Sequence, residues 1–219
     1  SAVVVARRRY SDSIWSAQLR RLVSLLSRRS FEDCSNLSDS SLPFVVQRIA
    51  RRRPHLLGGY PSSLCIIAEF IRDSGSPPPK VNAIVTGGET LFDHQRALLR
   101  DVFGVEPFSK YSSYENFDIA MECSAHAGLH VAAEDFVVEI VDESGRPVES
   151  GRQGRVVITS LHEWGMPLIR YDMGDESSLM QSMCECGRSL PRLSPIIGKS
   201  GDIIYTPSGK RLSPRSFVA

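Results

Sequence analysis

The chain has 219 residues and a net charge of +1, with 42% hydrophobic and 23% charged residues. These values predict a globular protein of one or two domains, and they give no support to a binding partner that is a polyanion. The apolar runs are far shorter than the ~20 residues of a membrane span, so a membrane partner is excluded as well.

Charge is unevenly distributed, because the first 60 residues contain eleven arginines and only four acidic residues. The arginines stand mostly in pairs and triplets that flank helical patterns, whereas a nucleic-acid site needs them on one face. Solvated helix ends are therefore predicted rather than a nucleic-acid site.

Five cysteines, an odd number without regular spacing, predict a reducing compartment, the cytoplasm. A chain that opens on Ser1 without Met and ends abruptly is predicted to be a piece of a longer protein.

Residues 1–116 carry the pattern of a parallel α/β subdomain, in which strands alternate with amphipathic helices. Strands are predicted at residues 3–6, 81–86 and 105–111, and a short strand with its turn is predicted at residues 56–61. Helices are predicted at residues 14–26, at residues 61–74 and at residues 90–103, with a further helix that is capped by Asp39 or Ser40 and contains Pro43.

Residues 117–197 change in texture to short strands joined by turns, which predicts an antiparallel, barrel-like subdomain. The strands are predicted at residues 119–122, 129–132, 136–142, 155–159 and 168–171. Residues 198–219 are predicted to be a hinge and the start of a small C-terminal domain. The fold class is thus α/β, with a parallel portion followed by an antiparallel portion.

The stretch 154–175 organises the chain. A strand, a loop and a second strand lead into the turn 172–175, which ends in Asp175. A carboxylate held in this way can accept two hydrogen bonds from a vicinal diol. The competing interpretation is a solvated Asp in an ordinary turn.

Two further turns follow predicted strands of the parallel portion, where ligands of such sheets bind. Gly87 and Gly88, followed by Glu89, would let a flat base approach the backbone. Tyr111 offers an aromatic face, and Glu115, four residues later, offers a carboxylate for Mg²⁺ or for orienting phosphate. Together with Asp175 these residues predict a nucleotide site; the alternatives are a plain turn, a core Tyr and a surface acid.

Three cysteines and a histidine form a second candidate site. Cys184 and Cys186 lie in one turn, while Cys123 and His130 bracket a hairpin-like segment. A Cys₃His set suits structural zinc in tetrahedral coordination. His126 is an alternative ligand, and buried cysteines without a metal are the alternative interpretation. Cys34 and Cys65 have no such neighbours in the sequence and are predicted to be core thiols.

Several motifs resemble the adenylate-forming acyl-CoA synthetase superfamily, most closely its phenylacetate–CoA ligase-like branch. The resemblance covers roughly residues 40–215 and depends on the order and spacing of the motifs. They are GGYPSSL at 58–64, GGE at 87–89, YSSYE at 111–115 with MEC at 121–123, PLIRY at 167–171, CECGRSLP at 184–191 and GKSGD at 198–202.

The resemblance implies a role for each matching residue. Gly87, Gly88 and Glu89 line the adenine and acyl pocket. Tyr111 packs on adenine beside Ser112, Glu115 helps to hold Mg²⁺, Asp175 binds the ribose hydroxyls, and Lys199 occupies a hinge position that is usually Arg. It also implies ATP, Mg²⁺ and coenzyme A as cofactors, and it supports zinc at the Cys/His set.

The implied reaction activates a small carboxylic acid as an acyl-adenylate. The aromatic residues Tyr60, Phe117 and Trp164 favour an apolar or aromatic acid. Coenzyme A or a carrier-protein thiol then accepts the acyl group. Two departures, Tyr114 in place of Thr and Gly201 in place of Asp, favour an alternative, a zinc-stapled relative without catalysis that binds nucleotide or acts as a scaffold. The phosphate loop and the catalytic lysine of the family are expected outside these residues, so the chain by itself is predicted to be inactive.

Overall fold

The computed structural model of the protein describes residues 2–6, 29–34, 37–199, 204–205 and 211–212. The chain divides into two compact units, residues 1–107 and residues 108–219. The predicted helix at residues 14–26 lies outside the described residues. Of the helices within them, none is long and apolar enough to span a membrane.

The first unit is a parallel α/β unit. Its described elements are β1 (Ala2–Ala6), β2 (Arg29–Asp33), α1 (Leu42–Arg52), β3 (Leu56–Gly59), α2 (Pro61–Ser74), β4 (Ala83–Gly87) and α3 (Asp93–Phe103). Strands β4, β3, β1 and β2 pair side by side, and each of these pairs is parallel. The predicted parallel portion is therefore confirmed, and β2 is a strand that the sequence pattern did not reveal.

The helices of this unit begin and end where local sequence directs. Pro61 occupies the first turn of α2, where its missing N–H costs no hydrogen bond. Gly75 and Gly104 end α2 and α3 in the left-handed conformation that favours glycine. Ser41 precedes α1 as its N-cap residue, so the predicted caps Asp39 and Ser40 are wrong by one or two positions.

A buried carboxylate fastens α1 to the edge strand β2. Glu32 is 4% exposed, and its two oxygens form ion pairs with Arg48 and Arg52. These arginines are four residues apart, which places them on one face of the helix. Two of the arginines near the start of the chain therefore neutralise the buried charge of Glu32.

The second unit is antiparallel. It contains β5 (Pro107–Tyr111), β6 (Ala120–Glu122), β7 (Leu129–Val131), β8 (Phe136–Val141), β9 (Gly154–Ser160), β10 (Tyr171–Ser177), β11 (Arg192–Leu193), β12 (Gly198–Lys199), β13 (Ile204–Tyr205) and β14 (Arg211–Leu212). Strands β5, β6, β7 and β11 pair in that order, as do β8, β9, β10 and β12, and all of these pairs are antiparallel. The predicted antiparallel portion is confirmed.

One predicted strand is wrong. Residues 168–170 are loop, and the strand begins at Tyr171, so the predicted turn 172–175 is the interior of β10. Its pairing with β9 shifts register between Asp172 and Glu176, and Gly174 inside this bulge has φ of +66°. A bulge absorbs the Asp and Gly residues that otherwise indicate a turn. The apolar Ile169 is exposed instead of buried.

Each unit has its own apolar core. In the first, Val3, Leu57, Leu64 and Ile84 are fully buried between the parallel strands and the helices. Cys65 is buried in this core and Cys34 packs against it, as predicted for core thiols. In the second, fully buried residues include Ile119, Val156, Ile158 and Leu193.

Gly59 lies where strand β3 packs closely against strand β1, so replacing it tests how much space is available there. A Cβ atom at this position would lie 2.6 Å from the carbonyl oxygen of Val5, whereas at Gly58 the nearest atom would be 3.6 Å away. We expect Gly59→Ala to lower the free energy of unfolding by about 2 kcal/mol, because the backbone of β1 must move. Gly58→Ala is the control and should change it by less than about 1 kcal/mol; urea denaturation measures both, and equal effects would contradict the close approach.

Candidate nucleotide site and metal centre

A hydrogen bond joins two of the predicted site residues in the second unit. The Tyr111 hydroxyl, at the end of β5, donates to Oδ2 of Asp175 in β10 over 2.9 Å. Tyr111 is 8% exposed, and Asp175 is half-buried. Burial and the negative charge of Asp175 raise the pKa of Tyr111, so the hydroxyl remains a donor.

The strands fix both partners of this bond. Tyr111 pairs with Ala120 of β6, which holds the end of β5 in register. Asp175 pairs with Lys199 of β12, so the predicted hinge residue lies opposite the predicted ribose-binding residue on neighbouring strands. The bulge at Gly174 immediately precedes Asp175. Residues that are distant in sequence thus meet at one position of the second unit.

The loop between β5 and β6 carries Ser112 and Glu115. It is closed by Ser113, whose backbone N–H donates to the carbonyl of Asn116 and whose hydroxyl accepts from the Asn116 N–H. Glu115 is exposed, and the neighbouring Tyr114 is 60% exposed. The loop therefore presents both side chains outward.

Asn116 in the same loop escaped the sequence analysis. It is 1% exposed, and its side-chain amide has no hydrogen-bond partner among the described residues. Burying an amide without partners is costly. No sequence signal marks it, because Asn in a loop is usually solvated.

In the first unit, the Gly87-Gly88-Glu89 turn follows β4. Gly88 has φ of +79°, and a Cβ atom there would lie 2.6 Å from the Tyr60 ring, so glycine is required for this packing. The Glu89 carboxylate accepts a hydrogen bond from the backbone N–H of Ser62, 3.1 Å away in the first turn of α2. Glu89 therefore satisfies one of the unpartnered donors at a helix N-terminus.

The predicted metal-binding residues converge. Ligand atoms of Cys123, His130, Cys184 and Cys186 all lie within 4.8 Å of one another. The sulfurs of Cys123 and Cys184 are 3.6 Å apart, and the sulfur of Cys186 is 3.4 Å from Nε2 of His130. Two sulfurs that each bind tetrahedral zinc at ~2.3 Å are about 3.8 Å apart, and a sulfur and a nitrogen about 3.6 Å. The cluster has the dimensions of a tetrahedral metal site.

The pKa shifts of Cys186 and His130 favour metal binding, whereas that of Cys123 opposes it. A hydrogen bond from the backbone N–H of Arg188 lowers the pKa of Cys186 to about 7. Burial, followed by the charges of Arg192 and Arg188, lowers the pKa of His130, which keeps the imidazole neutral at neutral pH. Burial raises the pKa of Cys123. Thiolate and neutral imidazole are the forms that ligate metals, so a bound cation would be needed to ionise Cys123.

The predicted hairpin supplies two of the four ligands. Strands β6 and β7 pair with Met121 opposite His130, and Cys123 directly follows β6. The alternative ligand His126 is engaged elsewhere: its Nδ1 lies 3.0 Å from the Glu122 carboxylate, and its ring lies against Phe108. His126 is therefore not part of the cluster.

Arg192 ties the hairpin to the segment that carries Cys184 and Cys186. It is buried, and its guanidinium donates to the carbonyls of Ala127 and Ser182. The neighbouring Gly128 allows a second close approach, because a Cβ atom there would lie 2.8 Å from the carbonyl oxygen of Leu193. The sequence analysis missed Arg192, since nothing in the sequence separates it from a solvated arginine.

Comparison with known proteins identifies the chain's relatives. A phenylacetate-coenzyme A ligase of Thermus thermophilus is 31% identical over 165 residues, which are 73% of this chain and 37% of that protein. A phenylacetate-coenzyme A ligase of Pseudomonas putida is 27% identical over the same shares of the two chains. The chain is related to the phenylacetate–CoA ligases. It spans little more than a third of the length of these curated relatives, and no family model matches it.

Solved structures confirm the fold of this phenylacetate–CoA ligase-like chain. A 2-hydroxyisobutyryl-CoA ligase in complex with an acyl-AMP has a TM-score of 0.79 at 22% identity, covering 98% of this chain and 46% of that one. ATP-bound MatB from Rhodopseudomonas palustris has a TM-score of 0.63 at 13% identity, covering 98% and 43%. The chain has the α/β fold of adenylate-forming ligases.

Replacing Arg192 tests whether its guanidinium group stabilises the segment that carries Cys184 and Cys186. Arg192→Lys keeps the charge but cannot reach two carbonyl groups with a planar fork. We expect the free energy of unfolding to fall by about 2 kcal/mol, because the buried side chain at position 192 loses hydrogen bonds to the carbonyls of Ala127 and Ser182. The exposed Arg188, changed to Lys, is the control and should have little effect. Urea denaturation of metal-free protein measures both, and equal stability of the two variants would contradict the role of Arg192.

Proposed function

We propose that this chain is part of an ATP-dependent acid–CoA ligase, which forms an acyl-adenylate and transfers the acyl group to a thiol. One observation carries the proposal, the 165-residue match to phenylacetate-coenzyme A ligases. The Tyr111–Asp175 pair supports it, because the hydrogen bond restrains a carboxylate that could bind a diol. The chain supplies the groups that hold the nucleoside half of ATP.

Each predicted site residue is proposed to make one kind of contact with the nucleoside. Asp175 accepts hydrogen bonds from the ribose hydroxyls, for which an ionised carboxylate is well suited. The Tyr111 ring lies against adenine. Gly87, Gly88 and Glu89 are proposed to line the adenine and acyl pocket, and the Tyr60 ring packs against Gly88 in this turn.

The phosphate end has fewer groups in this chain. The exposed Glu115 carboxylate fits Mg²⁺, which commonly binds one or two carboxylates together with substrate phosphates. Bound Mg²⁺ would neutralise phosphate charge during attack by the substrate carboxylate. Ser112 lies beside Tyr111 and is proposed to face the nucleotide, and Lys199 is proposed to act at the hinge to the small domain.

The chemistry is proposed to depend on positioning and electrostatics. The substrate carboxylate attacks the α-phosphate of ATP, which releases pyrophosphate, and a thiol then displaces AMP from the acyl-adenylate. The substrate is a small carboxylic acid, and exposed aromatic side chains such as Trp164, 88% exposed, favour an apolar or aromatic one. Coenzyme A is the proposed acceptor, with a carrier-protein thiol as the alternative, and the cytoplasm is the proposed location.

Three regions are proposed to divide this work. Residues 1–116 form the α/β subdomain, residues 117–197 the antiparallel subdomain with the metal site, and residues 198–219 the hinge and the start of the small domain. The pairing of β12 with β10 supports a hinge that starts beside Asp175.

We also propose that the Cys₃His cluster binds structural zinc. Its donor types and spacing fit the ion, and all four donors come from the protein, as in structural rather than catalytic zinc sites. When bound, zinc would join the β6–β7 hairpin to the segment that follows β10. It would therefore contribute stability and not chemistry.

Removing one thiolate tests the zinc proposal. We expect the purified wild-type protein to contain stoichiometric zinc and Cys184→Ser to lose most of it, because three donors bind zinc far more weakly than four. Cys34→Ser is the control, since Cys34 packs against the core of the other unit, and should keep its zinc. Metal analysis by mass spectrometry measures all three; wild-type protein without zinc would contradict the proposal.

Hydroxamate trapping tests the ligase proposal. The full-length protein, given ATP, hydroxylamine and a panel of aryl and acyl acids, should yield a hydroxamate with at least one acid. Asp175→Ala should lower kcat/KM for ATP about 10- to 100-fold, because bonds to a charged acceptor are lost. Asp101→Ala, at an exposed position of α3, should leave it unchanged. No product with any acid would contradict the ligase proposal.

The alternative is a zinc-stapled relative that binds nucleotide without catalysis or serves as a scaffold. The bulky Tyr114 in the phosphate-facing turn and the assembled cluster favour it. In the same experiment, nucleotide binding without hydroxamate formation would support this alternative.

A further inference from the structure

Tyr111 uses two parts of its side chain, and only the ring has a proposed role. We infer that the Tyr111 hydroxyl is a positioning group, which orients the Asp175 carboxylate so that it accepts hydrogen bonds from the ribose. The inference rests on the proposed nucleotide site. Tyr111 would thus act on affinity through Asp175, separately from any contact between its ring and adenine.

The hydrogen bond restrains the carboxylate. An Asp side chain rotates broadly about its terminal bond, so one carboxylate samples several orientations. The 2.9 Å bond from the Tyr111 hydroxyl to Oδ2 selects orientations in which that oxygen faces β5. A carboxylate that is already oriented loses less entropy when it binds a diol. An ionised carboxylate has about four acceptor positions, so this bond leaves capacity for hydroxyl donors.

The restraint needs a fixed anchor, and the core provides it. Tyr111 belongs to the apolar core of the second unit, together with Ile119 and Met173. Met173 lies two residues before Asp175 in β10, so the same core packs the strand that carries the carboxylate. Residues locked by packing position functional groups more accurately than solvated ones.

Asp175 has a local reason to need a second restraint. It lies in the bulged part of β10, where the register with β9 shifts, directly after Gly174 at φ of +66°. Regular pairing with β9, which fixes side-chain direction elsewhere in the strand, is interrupted here, while pairing with β12 continues on the other side. The hydroxyl of Tyr111 supplies a tertiary contact at this place.

The ring and the hydroxyl can be separated by experiment. Tyr111→Phe keeps the buried ring and removes only the donor. The full-length protein would be titrated with AMP and with 2′,3′-dideoxy-AMP, which lacks the ribose hydroxyls, and dissociation constants would be measured by calorimetry. We expect Tyr111→Phe to weaken AMP binding about five- to tenfold, which corresponds to the loss of roughly one hydrogen bond. Binding of dideoxy-AMP should weaken less than about twofold, because this nucleotide has no ribose hydroxyls for Asp175 to bind.

A double-mutant cycle strengthens the test. Asp175→Ala should weaken AMP binding, and adding Tyr111→Phe to it should cause little further loss, because the hydroxyl acts through the carboxylate. Tyr171→Phe, in the same strand as Asp175, is the matched control and should leave both dissociation constants unchanged.

The outcomes separate this inference from the proposed function. Equal weakening of both nucleotides by Tyr111→Phe would indicate a general structural effect and would overturn the inference, as would unchanged AMP binding. Wild-type protein that binds neither nucleotide would overturn the proposed nucleotide site itself. Weakening of AMP alone, lost in the Asp175→Ala background, would support the inference.

Discussion

The second unit depends on contacts between two segments that lie far apart in the sequence. Residues 108–131 contribute Tyr111, Cys123 and His130, and residues 171–193 contribute Asp175 and the remaining cysteines of the cluster. The Tyr111–Asp175 hydrogen bond joins them at one place, and the Cys₃His cluster, with Arg192, joins them at another. Each junction closes a loop of about 60 residues. Together these contacts restrain the segment that carries the Asp175 carboxylate.

The same two segments carry both candidate sites, so a change in the position of one segment would affect the Cys₃His cluster and the Tyr111–Asp175 pair together. Strand β5 ends in Tyr111 and pairs with β6, and Cys123 follows β6 directly. Strand β10 contains Asp175, and the segment leading from it to β11 contains Cys184 and Cys186. A metal bound at the cluster would therefore restrain the same two segments that carry Tyr111 and Asp175.

Local sequence signals were reliable where one short stretch decides the structure. Pro61 and Gly75 delimit α2, and the β-branched run Val156, Val157 and Ile158, all three buried, marks strand β9. The error in β10 has a clear origin. The apolar pair Leu168 and Ile169 indicates a strand, and Asp172 with Gly174 indicates a turn. The pairing partner β9 selects the later residues, because Met173, Glu176 and Ser177 bury their side chains there.

The sequence by itself determined the fold class, most strands and helices, and the four residues of the cluster, because residue type and spacing carry that information. Only the tertiary structure decided which side chains meet. It excluded His126 from the cluster by engaging it with Glu122, and it gave Glu89 a contact at the start of α2. It also linked the Tyr111 hydroxyl to Asp175, 64 residues away. Such contacts depend on strand register and burial, which a local pattern does not specify.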